Sequence, residues 1–180
     1  MIDGFPLSFF LPLVVHALAG LTTGITGVIA FSRPKRTGGH PTWGVRYLWA
    51  YAVVFLTAII LSVQRWPADA YLFFLATLGS AFALGGSAAR RFRQKPWLHF
   101  LGKQWVIAHI VGMIGSYVVL WTAFYVDNAH LIPGLKQLPM LTFWVLPTLI
   151  ALPFTMFSLF RFAPKTVSAV REERQSFEKN

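Results

Sequence analysis

The sequence predicts an all-α integral membrane protein: a bundle of five transmembrane helices, N-terminus outside and C-terminus cytoplasmic. Three observations carry this expectation. Hydrophobic residues make up 56% of the 180 and charged residues only 12%, with a mean hydropathy of +0.57, values outside the range of a water-soluble domain. The apolar residues gather into five runs of about twenty, the length that crosses a hydrocarbon core of about 30 Å. The positive charge is segregated: segments 32–46, 90–103 and 161–180 hold four, five and five Lys or Arg, which is fourteen of sixteen, leaving only Arg65 and Lys136 elsewhere. Because cytoplasmic loops carry the excess of Lys and Arg, those three segments are assigned to the cytoplasmic side of a bacterial cytoplasmic membrane. The expected organisation is a multi-pass domain over 1–163, with spans at about 5–31, 45–63, 71–89, 105–126 and 140–160, and a polar cytoplasmic tail over 164–180.

In the first span, the residues before Phe9 lack a positive region and no small-residue cleavage site ends the run, so it reads as a retained helix rather than a signal peptide. At 100° per residue His16, Gly20, Thr23 and Gly27 share one stripe, a small-residue seam for close helix packing, or room beside a histidine for a flat cofactor. Segment 32–44, SRPKRTGGHPTWG, is a turn-rich basic loop. Proline suits a first helical turn, which puts His40 at the head of the second span, with Gly44, Tyr47, Tyr51 and Ala58 below it on one face. The two tyrosines read at least equally well as interfacial anchors. After the turn QRWPADA, the third span offers Gly79, Ser80, Ala83, Gly85 and Gly86 for close contact. The fourth carries His109, with Met113 and Tyr117 at i+4 and i+8. His130 falls in the following loop and reads as solvated. Pro147 and Pro153 interrupt the fifth span, and the tail VREERQSFEK suits a short surface helix.

Composition also excludes. With no cysteine there is no disulfide, thiolate site, iron–sulfur cluster or covalent haem attachment, so histidine is the strongest remaining metal ligand. The net charge of +10 follows membrane topology rather than forming a basic groove, so nucleic acid is not an expected partner. No acidic residue lies in any span, which argues against Mg²⁺-dependent prenyl or phosphoryl chemistry, and there are no histidine boxes, phosphate loop, G-x-S-x-G or HExxH motif. Five spans without an evident repeat do not suggest a complete secondary transporter.

His16 with Gly20, the basic loop ending in His40 with Gly44 and Tyr47, and Arg90 and Arg91 leading to His99 form a pattern. It resembles an uncharacterised family of bacterial multi-span membrane proteins, the domain of unknown function 2306. The resemblance implies membrane location and helical architecture; it carries no established activity.

The chemistry therefore rests on histidine. Counted by helical rise from span centres near Leu18, Val54 and Gly115, His16 is close to the bilayer middle and His109 about 9 Å toward the cytoplasm, while His40 and His99 lie near the cytoplasmic surface. His40 and His99 match in height and are the expected pair for ligating one haem or sharing a metal ion. His16 and His109 are expected as a second site or proton partner, pairing only if tilt closes the gap between them. An ionisable residue inside a span is a functional hypothesis by default, set against the structural alternative that each histidine simply hydrogen-bonds a neighbouring helix. The sharpest expectation is a b-type haem protein in electron transfer or membrane redox chemistry, with a quinone or protein redox partner. The alternatives are a non-catalytic subunit or scaffold packing against partner helices in a homo- or hetero-oligomer, and a copper- or zinc-dependent enzyme acting on a lipid or quinone.

Overall fold

The computed structural model describes residues 6–35, 38–93 and 104–177, with side chains through 163. Five helices follow one another: α1 (Leu7–Ser32), α2 (Gly39–Gln64), α3 (Ala70–Arg91), α4 (Trp105–Asn128) and α5 (Met140–Phe177), with a 3₁₀ turn at Ala129–Leu131 after α4. Each contains a stretch long and apolar enough to cross a membrane, and no strand occurs among the described residues. α2 begins at Gly39, six residues before the expected start at 45, because Gly38, at φ +102°, makes the turn and Pro41 is tolerated in the first helical turn. The α5 backbone is one helix through Pro147 and Pro153 and on to Phe177, in place of a span followed by a separate tail helix.

Two antiparallel hairpins build the bundle, and each is stitched at both ends. In the first, His40 at the head of α2 bonds Ala30 near the end of α1, while Gln64 at the foot of α2 bonds Ser8. In the second, His109 near the head of α4 bonds Gly86 near the end of α3, while Tyr71 bonds Asp127. The hairpins meet along α2 and α3, and α5 packs chiefly on α4, with Phe143 buried against Val126 and Ala129. Arg33, Lys35, Arg46, Arg90 and Arg91 consequently share one end of the bundle, and Arg65, Asp69, Asp127 and Lys136 the other.

Apolar side chains face outward, among them Leu18, Leu21 and Ile25 on α1 and Phe154, Phe157 and Phe160 on α5. The interior is small and polar, as expected where lipid removes the usual hydrophobic drive and packing and hydrogen bonds hold helices together. Tyr47 and Tyr51 are 1% and 4% exposed: they are the centre of the core, not interfacial anchors. Ser116 organises them. Its hydroxyl donates to the Met113 carbonyl and so accepts from the Tyr47 hydroxyl (2.7 Å), while Tyr51 donates to the Ser116 carbonyl at 3.1 Å. Glycine makes this possible at chosen points. Gly79 leaves the space that the Tyr51 hydroxyl fills, Gly27 lies under the Tyr117 ring, and the Gly86 and Gly112 backbones touch. Gly20 and Gly85, part of the same expected small-residue seams, have no such neighbour within 4 Å.

Candidate functional site

At the basic end, the structure brings His40 and His109 together: their ring centroids are 6.3 Å apart and their planes 88° from parallel. Counting from span centres had separated their depths by about 12 Å. α2 and α4 have their midpoints near residues 51–52 and 116–117 rather than at Val54 and Gly115, and counting from these midpoints leaves a gap of only about 6 Å.

Backbone carbonyls hold both rings. His40 Nδ1 is 2.8 Å from the Ala30 carbonyl oxygen and His109 Nδ1 is 2.8 Å from that of Gly86. A carbonyl can only accept, so each Nδ1 carries the hydrogen, and in the neutral ring Nε2 holds the free lone pair. This is how proteins prepare a ligating histidine: an outer hydrogen bond fixes tautomer and ring orientation and leaves the other nitrogen for a metal. His16 repeats the pattern nearer the middle of α1. The Thr57 hydroxyl donates to the Val53 carbonyl (2.7 Å), so it accepts from His16 Nδ1 at 2.9 Å, again leaving Nε2 free. His16 is therefore tied to α2 and does not pair with His109. His99, the expected partner of His40, lies outside the described residues. His130 is exposed on the 3₁₀ turn, beside a cleft of about 160 Å³ that Lys136 and Phe143 also line.

Two cations flank the pair. Lys35 donates to the Phe31 carbonyl at 2.7 Å and the Ala30 carbonyl at 3.3 Å, so it caps α1 and shares the acceptor that holds His40. Arg90 follows Gly86 by one turn of α3. Both lie within electrostatic reach of both rings. Among the described residues no group of three or more His, Cys, Asp or Glu gathers to hold a metal ion, and the two imidazoles are the described side chains at this end that could ligate one.

The sequence pointed to none of the carbonyl-bearing Ala30, Thr57 and Lys35 as site residues, and to Gly86 and Arg90 only for helix packing and charge. Only Arg90 carried a visible signal, a cation one turn from a glycine in a small-residue run. Comparison with protein-family models, curated proteins and solved structures finds no match, so the site's geometry carries the functional argument.

Proposed function

We propose that the chain is a b-type haem-binding membrane protein in which His40 and His109 would hold the iron. The observation that carries this reading is a pair of imidazoles from two hairpins, each with Nδ1 tied to a carbonyl and Nε2 free, at a ring separation of 6.3 Å. Two histidines this close, each with the same nitrogen left unbonded, could together hold one metal ion. When bound, haem would supply one-electron redox chemistry tuned by its axial ligands; the chain's own residues orient the two imidazoles and surround them with apolar helices and a basic rim. With the basic end cytoplasmic, the site lies on the inner side of a bacterial cytoplasmic membrane and the N-terminus outside.

Purified protein titrated with ferric protoporphyrin should develop the Soret band of a bis-imidazole complex. His40→Ala and His109→Ala should each abolish it, while His99→Ala and His130→Ala leave it. No spectral change, with no iron in the purified protein by elemental analysis, refutes the reading. About one copper or zinc per chain, removed by the same two substitutions, would assign the pair to a porphyrin-free metal site instead.

One observation favours a second reading, a non-catalytic subunit. The membrane-length part of α5 is only 11% buried, against 28–33% for the other four helices, which leaves it a face for a partner helix. Cross-linking from positions 150 and 157 that captures only lipid would remove that reading.

A further inference from the structure

We infer that the ligand of the His40–His109 site carries carboxylate groups and that Arg90 is the residue that selects for them; this rests on the haem reading above. Arg90 is half-buried in the last turn of α3, and among the described residues its guanidinium has no ion pair: the one found joins Arg65 to Asp69 at the opposite end of the bundle. The other carboxylate among the described side chains, Asp127, also lies at that end, bonded by Tyr71 and Asn128, while Glu172 and Glu173 fall on the part of α5 beyond residue 163. The basic end thus sets two imidazoles beside Arg90 and Lys35 with no described carboxylate among them.

A half-buried arginine with no counter-charge among the described side chains can take an incoming anion, and its five donors in a fixed fork match a carboxylate in two-point geometry. Lys35 adds a further donor: two of its three ammonium hydrogens go to the Phe31 and Ala30 carbonyls, leaving one. Although the side chain as a whole is exposed, protein crowded around the ammonium lowers its pKa, a penalty that an anion beside it would relieve. A bare divalent metal would add positive charge to this cluster. A porphyrin with free propionates would bring the metal the imidazoles can take and the carboxylates the cations lack.

The full chain in lipid nanodiscs, titrated with iron protoporphyrin IX and with its dimethyl ester, tests this. Esterification keeps the metal and ring but removes the carboxylates. The free acid should bind the wild type at least about tenfold more tightly than the ester, as expected for charge-assisted hydrogen bonds. In Arg90→Gln the free acid should weaken by a similar factor while the ester is unchanged; Arg90→Lys should recover part of the difference. Taking the ratio between the two porphyrins within each variant cancels any general loss of folding, and comparing that ratio between variants cancels the porphyrins' different partitioning into lipid. Axial spectra with equal affinities in the wild type, or an Arg90→Gln that weakens both porphyrins alike, overturn the role of Arg90 and leave the haem reading standing. No axial spectrum with either porphyrin overturns both.

Discussion

Adding one methyl group at Gly112 should disturb both the packing of the second hairpin and the ring of His109. An ideal Cβ there would fall 2.6 Å from Gly86 Cα, 2.8 Å from Gly86 N and 2.8 Å from the Phe82 carbonyl oxygen. All three are backbone atoms of α3, so no side chain can swing aside, and α3 and α4 must separate by several tenths of an ångström. Overpacking of this kind costs about 1–3 kcal/mol. The movement also pulls the Gly86 carbonyl from His109 Nδ1, now at 2.8 Å, for about 1 kcal/mol more. Alanine's better helix propensity returns up to about 1 kcal/mol. The net expectation for Gly112→Ala is a loss of about 1–3 kcal/mol in reversible unfolding from mixed micelles, and weaker ligand binding by about 10–100-fold, the usual effect of losing an outer-shell partner. Gly85→Ala is the matched control: nothing lies within 4 Å of its Cβ position, so it should be neutral or slightly stabilising. A Gly112→Ala protein as stable as wild type, with unchanged binding, would refute the reasoning that backbone contact at this crossing positions the His109 acceptor.

Three further expectations follow from the core and the rim. Gly79→Ala places a methyl on the Tyr51 hydroxyl and should cost about 1–3 kcal/mol; combined with Tyr51→Phe the two losses should be less than additive by at least about 0.5 kcal/mol in a double-mutant cycle. Thr57→Val removes the acceptor of His16 Nδ1 and should cost about 1 kcal/mol, with the nearby Val54 carbonyl taking up part of the bond; no change in unfolding would mean that His16 is not held through Thr57. Because the folded chain lowers the Lys35 pKa, the unfolded chain holds the extra proton between the lowered value and the ordinary lysine value. Stability should therefore rise slightly with pH across that alkaline window; the rise should vanish in Lys35→Met, and an identical pH profile for both proteins would contradict it.

The helices were legible because a membrane span needs only length and apolarity, and the shared basic end because charge placement survives without coordinates. Contact specificity was not. Gly85 and Gly86 are indistinguishable in sequence, yet only Gly86 meets α4, since one position turns a helix face by 100°. Tyr47 and Tyr51 have the composition of interfacial anchors, and their burial depends on a serine about 65 residues later that supplies their hydrogen-bond partners. The expected His40–His99 pair drew on depth alone, and its second member lies outside the described residues. His109 was visible as an intramembrane histidine; its neighbour was not, because the acceptor that aims it is a main-chain oxygen, and every residue has one.

The stitching of each hairpin at both ends bears on how the chain reaches its final state in the bilayer. α1 and α2 can close on each other once both have entered the membrane, because their terminal bonds, from His40 to Ala30 and from Gln64 to Ser8, are internal to the pair. α3 and α4 can do the same. Each hairpin aims one imidazole at the basic end before it meets the other, yet neither alone places two there. Ligation through both rings would therefore report that the halves have docked, and a chain stalled after the first hairpin would present His40 with nothing opposite it and His16 held apart on Thr57.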